Sequence, residues 1–286
     1  MTGTPPDLEI RPMREAELEI AVDWAAEEGW NPGLGDAAAF RAADPDGFLM
    51  AFLDGKPAAS ISVVAYDGDH GFLGFYIVRP GLRGQGIGWA LWQAGMARLE
   101  GRSIGLDGVV DQQAAYARSG FVLQHRNIRH QGVAAPIADG QEGARPVGDD
   151  DLEPIVAFDA RHFGFERGAF LKTWLSTPGH VSRLMTLPGG GLAGYGVVRP
   201  CRTGFKIGPL FAETPDAASD LFDALVRMVP PGEPLVLDVP EPNKAGIALA
   251  ASRGMKPVFE TARMVKGEPP VLPLDRIFGV TSFELG

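Results

Sequence analysis

The stretch IVRPGLRGQGIGWALW, residues 77–92, places four glycines directly before an apolar helical segment. Glycine inside a helix costs roughly 1 kcal/mol relative to alanine, so this pattern favours a loop that ends where a helix begins. The preceding segment GFLGFYIV, residues 71–78, is apolar at almost every position, which is typical of a strand covered on both faces. The sequence therefore predicts a buried strand, a glycine loop and a helix in direct succession.

A loop of this kind favours an anion site. The backbone N–H groups of a loop without side chains can converge on one point, and the helix N-terminus adds unpaired N–H groups and about half a positive charge. Arg83 supplies a formal charge. Rossmann spacing fails, because the third glycine position is occupied by Trp89 or Leu91, and no Gly-Lys-Ser/Thr of a Walker loop follows. A tight turn that is glycine-rich for geometry alone is the alternative.

The elements around the loop predict an α/β domain with a mixed, mostly antiparallel sheet flanked by helices. The dipeptide Asp54-Gly55 predicts a hairpin between two strands. In chain order we expect a strand (8–13), two helices (15–29 and 36–44), the two hairpin strands, the central strand, a helix (86–100), a strand (103–110), a short helix (112–120) and a closing strand (121–130).

The second half of the chain resembles the first. Residues 132–146 are small and polar with glycine and proline, which predicts a linker. Beyond it three segments resemble earlier ones in the same order: 144–156 resembles 10–22, 194–200 resembles 74–80, and 238–255 resembles 107–121. The sequence therefore predicts a duplication, with domains at 1–135 and 143–286, in which the second copy has lost the glycine loop.

Composition excludes several classes of function. The net charge is −10 with no long basic run, so the electrostatic footprint of nucleic-acid binding is missing. The single cysteine, Cys201, forms no internal disulfide, in keeping with a reducing cytoplasm. No segment has the features of a signal peptide or a bilayer span. We expect a soluble cytoplasmic protein without nucleic-acid or membrane partners, whose oligomeric state the sequence leaves open.

Two motifs resemble those of a known family. The R-x-x-G-x-G motif at residues 83–88 follows an apolar strand that ends VRP, and YARSGF at 116–121 has the form Y-x-x-x-G-F. Together with the element order over residues 8–132, they resemble the GNAT superfamily of acyl-CoA N-acyltransferases. The resemblance implies two tandem GNAT-like α/β domains, acetyl-CoA as co-substrate, and direct transfer of the acetyl group to an amine in a ternary complex.

The resemblance also implies which residues hold the coenzyme. In the family, the fourth strand diverges from the fifth and pairs with the pantetheine arm, and the glycine loop binds the pyrophosphate through its main-chain amides. The corresponding residues here are Tyr76, Ile77, Val78, Arg83, Gly84, Gln85, Gly86, Ile87 and Gly88.

The tyrosine of the second motif, Tyr116, would protonate the departing thiolate; a packed core tyrosine is the alternative. The sequence departs from the family pattern at Val109, where an asparagine often contacts the coenzyme. The second copy has the asparagine, Asn243, but Ala250 in place of the tyrosine. The C-terminal half is therefore expected to be catalytically inert and to shape the acceptor site.

The acceptor is expected to be a small amine or an amino-acid derivative, with a peptide N-terminus as a further possibility. Trp30 and Asn31 lie between the first two helices, where the family builds its acceptor pocket, and are the candidate acceptor-binding residues. The fourth strand contains no acid to serve as general base. A water relay is one alternative, and the nearby side chains are the others: Glu28, Asp67, Asp69 and His70.

No metal site is predicted, because His125 and His130 lie on opposite faces of one strand and no zinc-type spacing is present. A non-catalytic acyl-CoA sensor is the alternative to an enzyme.

The C-terminal segment RIFGVTSFELG (276–286) predicts a strand that continues to the C-terminus. We expect it at the junction of the two halves, with Glu284 or the carboxylate of Gly286 directed towards the acceptor site; completion of the second sheet is the alternative.

Overall fold

The computed structural model describes residues 7–137 and 143–286, and both halves have the same order of elements. The first half contains β1 (Leu8–Pro12), α1 (Glu15–Glu27), α2 (Asp36–Ala43), β2 (Phe48–Leu53), β3 (Lys56–Ala65), β4 (His70–Val78), α3 (Ile87–Arg98), β5 (Ser103–Val109), α4 (Gln113–Arg118) and β6 (Val122–Val133). The second contains β7 (Ala144–Pro146), α5 (Leu152–Phe163), α6 (Gly168–Ser176), β8 (Val181–Thr186), β9 (Leu192–Pro200), β10 (Phe205–Ala212), α7 (Pro215–Val226), β11 (Pro234–Pro240), α8 (Lys244–Ser252), β12 (Lys256–Lys266) and β13 (Ile277–Gly279). The predicted α/β class is confirmed.

Two predictions from the sequence are wrong: the bounds of the linker and one pair of matching segments in the duplication. The expected linker at 132–146 is too long, because its first residues belong to β6 and its last three form β7; residues 138–142 lie outside the described residues. The segment 194–200 lies in β9, which corresponds by position to β3 rather than to β4. The similarity of 74–80 to 194–200 therefore reflects two buried strands of like composition. These strands are not counterparts in the duplication, because the counterpart of β4 is β10.

The strands join in one twisted path across both halves. In the described residues the order is β1-β2-β3-β4-β5-β12-β6-β11-β10-β9-β8-β7, with β13 on β10. β12 pairs antiparallel with β5 on one side and with β6 on the other, and β6 pairs in turn with β11. The closing strand expected at 121–130 corresponds to β6, and β12 of the second half lies between it and β5: the two halves exchange β6 and β12.

A buried ion pair joins each exchanged strand to its host strand. Asp107 on β5 lies opposite Arg263 on β12, with N–O distances of 2.6 and 3.0 Å. Asp238 on β11 lies opposite Arg129 on β6, at 2.7 and 2.8 Å. Removing one partner of such a buried pair costs about 3–5 kcal/mol, so the exchange is strongly specified. The two pairs occupy corresponding places in the duplicated halves.

The largest hydrophobic core lies between the halves. It contains residues of α1 and α2 from the first half and of α5 and α6 from the second, and Phe40 stacks on Trp174 with ring centroids 6.2 Å apart. Separate cores lie beneath α3 in the first half and beneath α7 and α8 in the second. No helix in the described part of the chain is long and apolar enough to cross a membrane. The shared core fixes the two halves against each other, and with them the surfaces that meet at the site.

Candidate active site

The cleft that forms the site begins where β4 and β5 part. The two strands pair in parallel as far as Leu73 and Leu106, and beyond that pair they diverge. β5 continues in partnership with β12, while the described residues supply no strand for the open side of β4. The resulting cleft has a volume of about 340 Å³. Its walls include residues 73–78 of β4 and 106–109 of β5.

A bulge in β4 lies inside this cleft. Gly74 pairs with Ser62 and Ile77 pairs with Ser60, so two residues of β4, Phe75 and Tyr76, face one residue of β3. Phe75 has a φ of 45°, which a non-glycine residue adopts only under constraint, and its carbonyl accepts a hydrogen bond of 2.9 Å from Ser60 Oγ. The bulge bends β4 and redirects its backbone towards the open side.

The glycine loop lies at the outer end of the cleft, before α3. Gly84 and Gly86 have φ values of 79° and 84°, which other residues adopt at a cost, and Gly86 is the N-cap of α3 without a side-chain cap. A Cβ at Gly88 would lie 2.8 Å from Val78 Cγ2, so glycine is needed where the helix meets β4. The first turn of α3 therefore presents backbone N–H groups at the mouth of the cleft.

Charged side chains border the mouth. Arg83 lines the cleft, donates from Nε to the Val78 carbonyl at 2.9 Å, and forms an ion pair with Glu28 at the end of α1. The Arg83 side chain is half exposed, so its paired guanidinium remains accessible to an anionic ligand. Of the predicted coenzyme residues, Tyr76, Ile77, Val78 and Arg83 line the cleft, and the loop from Gly84 to Gly88 joins it to α3.

Tyr116 lies on the opposite wall, packed flat against β5. A Cβ at Gly108 would lie 2.3 Å from Tyr116 Cε2, so the glycine makes room for the ring. Trp92 and Phe121 hold the ring from behind, with centroids at 5.9 and 6.5 Å. Burial raises the pKa of Tyr116 to about 12, which keeps the phenol protonated at neutral pH. The structure thus places a protonated hydroxyl at the cleft wall.

The two candidate acceptor residues separate in the structure. Trp30 lines the cleft, and its carbonyl accepts a hydrogen bond of 2.9 Å from Arg129. Asn31 lies outside the lining: its amide donates to the Thr203 carbonyl and accepts from the Thr203 N–H, both at 2.9 Å. The structure therefore gives Asn31 a contact between the two halves rather than a place in the cleft.

The candidate general bases named from the sequence are poorly placed. Asp67, Asp69 and His70 lie at the start of β4, at the end opposite the cleft. His70 stacks on Phe165 at 4.2 Å, and burial lowers its pKa to about 4. Glu28 reaches the cleft but is paired with Arg83. In the described residues no group of three or more His, Cys, Asp and Glu side chains is arranged to hold a metal ion.

The second half contributes four residues to the cleft, and only Glu284 among them was expected from the sequence. They come from the exchanged strand β12 and from the C-terminal tail, and they are Phe259, Thr261, Phe283 and Glu284. The terminal strand is shorter than predicted, because only residues Ile277–Gly279 form β13, which pairs with β10 of the second half. Beyond it the chain crosses to β4, so Glu284 reaches the cleft as hypothesised, whereas the Gly286 terminus lies against Phe72 and Phe163. No motif in the sequence signals Phe259, Thr261 or Phe283.

Two family models match the chain, one in each half. Residues 12–121 match the acetyltransferase (GNAT) family and residues 155–279 match an acetyltransferase (GNAT) domain. A holothin acyltransferase of Pseudoalteromonas sp. (strain SANK 73390) is 32% identical over 276 residues, covering 96% of this chain and 94% of that protein.

Solved structures match the whole architecture. A Pyrococcus horikoshii protein described as an acetyltransferase superposes with a TM-score of 0.82 at 21% identity, covering 99% of this chain and 98% of that one. A tandem GNAT protein from the clavulanic acid biosynthesis pathway superposes with a TM-score of 0.62 at 17% identity, covering 92% of this chain and 99% of that one. At these identities the likeness concerns the fold.

Proposed function

The chain belongs to the GNAT acyltransferases in their tandem form, and on that premise we propose that its first half transfers an acetyl group from acetyl-CoA to the amine of a small molecule. The observation that carries the proposal is the open cleft between β4 and β5, which leads directly from the uncapped glycine loop to Tyr116. An elongated ligand with an anionic end and a reactive end fits this arrangement.

In the proposed complex the coenzyme lies along the cleft. Its pyrophosphate binds the N–H groups from Arg83 to Gly88 and the positive end of α3. Its pantetheine arm pairs with the open side of β4 from Tyr76 to Val78, as an added strand would. The thioester then lies at the inner end, near the Phe75 bulge and Tyr116. The cleft volume of about 340 Å³ lies at the low end of the range for ligand sites.

The chemistry proceeds in one ternary complex. The amine nitrogen attacks the thioester carbonyl, and a backbone N–H at the β4 bulge stabilises the developing oxyanion, an interaction worth roughly 3 kcal/mol. The C–S bond breaks with its electron pair on sulfur, and Tyr116 donates its proton to that sulfur. The amine nitrogen loses one proton to solvent and the tyrosine regains one, so the products are an amide and free coenzyme A.

The acceptor enters from the side formed by the second half. Trp30, Phe259 and Phe283 border that side, so the acceptor meets an apolar aromatic surface. The relative named a holothin acyltransferase is consistent with a small-molecule acceptor. We propose a small amine with an apolar or aromatic body.

A thiol-release assay tests the proposal. Acetyl-CoA is incubated with a panel of small amines, amino acids and peptides, and longer acyl-CoA donors are compared with the best acceptor. The proposal predicts release of coenzyme A with at least one small amine and a decline in rate as the acyl chain lengthens. Turnover with peptides alone, or a preference for long acyl chains, would contradict it.

A further inference from the structure

The start of β4 borders a second cavity, at the end of the strand opposite the cleft. Its volume is about 260 Å³, just below the usual range of roughly 300–1,000 Å³ for ligand sites, so an occupant must be compact. It shares no lining residue with the cleft. We call it the histidine pocket, and its floor is formed by His70 and Phe72 of β4, Gly105 of β5, His125 of β6 and Arg263 of β12.

Much of the rest of the pocket wall is apolar. The segment that follows β12 lies over the pocket and presents proline and leucine side chains to it. A wall of this kind disfavours a strongly hydrated inorganic ion and favours a ligand with a carbon body. The apolar lining residues include Phe72, Val265, Pro269, Pro270 and Leu272.

Arg263 brings a positive charge to the pocket and keeps hydrogen-bond donors in reserve. Its Nε and Nη2 donate to Asp107 at 3.0 and 2.6 Å, which occupies two of the five N–H donors of a guanidinium. Nη1 has no hydrogen-bond partner among the described residues, and it is not one of the unpaired atoms sealed in the interior. Since Arg263 lines the histidine pocket and not the cleft, the remaining donors can serve a ligand in this pocket.

Two imidazoles lie beside this guanidinium. His70 stacks on Phe165 of the second half with ring centroids 4.2 Å apart, which fixes its orientation. Within the described part of the chain its ring nitrogens have no hydrogen-bond partner, and they are not sealed in the interior. His125 lies opposite Arg263 in the pairing of β6 with β12. A neutral imidazole offers one donor and one acceptor, and a protonated one offers two donors.

The electrostatic field in the pocket favours a negative charge. Burial lowers the pKa of both histidines to about 4, and the positive charge of Arg263 on β12 contributes in the same direction. Arg102, from the turn before β5, lowers the pKa of His70 further, while Asp107 on β5 partly opposes the shift at His125. Both imidazoles are therefore neutral at neutral pH. An anion would be attracted by the same charges that repel a proton.

We propose that the histidine pocket is a second small-molecule site, which binds a compact carboxylate with an apolar body, such as a small aromatic acid. The carboxylate accepts hydrogen bonds from Arg263 and from the imidazoles of His70 and His125, and the apolar body packs against Phe72 and the segment after β12. This site is independent of the proposed acyl transfer, because none of its lining residues belongs to the cleft.

Calorimetric titration of the intact protein with three probes tests the proposal. Benzoate has both the charge and the apolar body, benzamide has the body without the charge, and inorganic phosphate has the charge without the body. We expect benzoate to bind at least about tenfold more tightly than either of the others, since a charge-assisted hydrogen bond is stronger than a neutral one. Benzamide or phosphate binding as tightly as benzoate, or no binding of benzoate, would overturn the proposal.

A second titration separates the pocket from the cleft. Benzoate is titrated in the presence of saturating acetyl-CoA, and its Kd should change less than about twofold, because the two cavities have no lining residue in common. Displacement of benzoate by acetyl-CoA would place the probe in the cleft and overturn the proposal.

Removal of one imidazole tests the polar floor. His70→Phe keeps an aromatic ring against Phe165 but removes both ring nitrogens, so the Kd for benzoate should rise about tenfold while that for benzamide changes little. His130→Phe is the matched control, because His130 lies outside the pocket lining, and it should leave both values unchanged. Wild-type affinity for benzoate in His70→Phe would contradict the proposed site.

A second variant reduces the space instead of the polarity. A Cβ at Gly105 would lie 3.0 Å from the Phe72 ring and 3.7 Å from His70 Nε2, so Gly105→Ala puts a methyl group on the pocket floor. It should weaken benzoate and benzamide together. Gly189→Ala, where a Cβ meets no atom within 4 Å, is its control. Unchanged affinity for both probes in Gly105→Ala would show that they bind elsewhere.

The pH dependence of binding tests the contact with the imidazoles. A bound anion raises the imidazole pKa from its value of about 4, so binding takes up protons and the affinity for benzoate rises as pH falls. We expect a rise of about threefold or more between pH 7.5 and pH 5, a range in which a carboxylate of ordinary pKa stays mostly ionised. The rise should be smaller in His70→Phe. An affinity that is constant or falls over this range would overturn the proposal.

Discussion

The two halves contain the same pair of diverging parallel strands, and they use it differently. In the first half β4 and β5 separate after Leu73 and leave an open cleft. In the second half β10 and β11 pair through Ile207 and then separate too, but β13 enters the gap and pairs with β10. Asn243 donates to the Ile277 carbonyl at 2.9 Å and holds β13 there. β13 thus fills the position that corresponds to the proposed place of the pantetheine arm in the first half.

The helices that follow the two clefts also differ, because the helix of the first half is uncapped and that of the second half is capped. α3 begins at Gly86 without a side-chain cap, whereas Thr214 caps α7 by accepting a hydrogen bond of 3.2 Å from the Ala217 N–H. The N–H groups at the start of α7 are thus partly satisfied by the chain, and Pro215 removes another donor. On the proposed function, this fold alone does not make an active site, and an open cleft and an uncapped helix are also required.

The largest expected effect comes from blocking the first loop. Gly86→Val puts a β-branched side chain at a φ of 84° and in the path of the pyrophosphate. We expect acetyl-CoA affinity, measured by calorimetry, to fall by about 100-fold or more, which is the loss of several amide contacts at roughly 1 kcal/mol each. Thr214→Val at the corresponding helix of the second half should cost about 1 kcal/mol of stability and leave affinity unchanged. Equal losses of acetyl-CoA affinity in the two variants would contradict the assignment of the coenzyme site to the first half alone.

The second largest effect is expected from removing the hydroxyl of Tyr116. It should lower the rate of transfer and leave acetyl-CoA binding unchanged. Tyr116→Phe keeps the packing against Trp92 and Phe121 but removes the proton donor, so kcat falls by about 100-fold and the Kd for acetyl-CoA is retained. The second half has Ala250 at this place and no acid to lose. A chemistry-limited kcat equal to that of wild type would assign Tyr116 to packing alone.

The smallest effect is expected from loosening the second cleft. Asn243 also accepts a hydrogen bond of 2.8 Å from the Gly246 N–H, so Asn243→Ala leaves two buried backbone groups unpaired. Urea unfolding should show a loss of about 1–3 kcal/mol. Calorimetry should show no new coenzyme site, because α7 remains capped. A second site in this variant would mean that β13 alone closes the second cleft.

The local elements and the loop could be predicted from the sequence, because both depend on neighbours in the chain. The predicted strands and helices of the first half agree with the structure within a few residues. The strand exchange could not be predicted. Neither β6 nor β12 alternates apolar and polar residues, and β6 buries the polar Asn127 and Arg129, so the pattern does not indicate which strand lies alongside. Phe259 and Thr261 therefore gave no sign that they border the cleft.

The tail was only partly predictable for a related reason. Residues 280–286 form no regular element and are held by single contacts such as Ser62 to Glu284, which leave no periodic pattern. The signal lies elsewhere, at Gly74, a glycine in the middle of a strand. Such a glycine often marks a close approach of another backbone, and here it marks the crossing of the tail.

The central claim is that the open cleft of the first half is the coenzyme site and that the second half has closed its own. Calorimetric titration of the intact protein with acetyl-CoA tests this most directly, since each half contains a GNAT-like pair of diverging strands. The account predicts one site per chain. Two sites of comparable affinity, or one site that keeps its affinity in Gly86→Val, would contradict it.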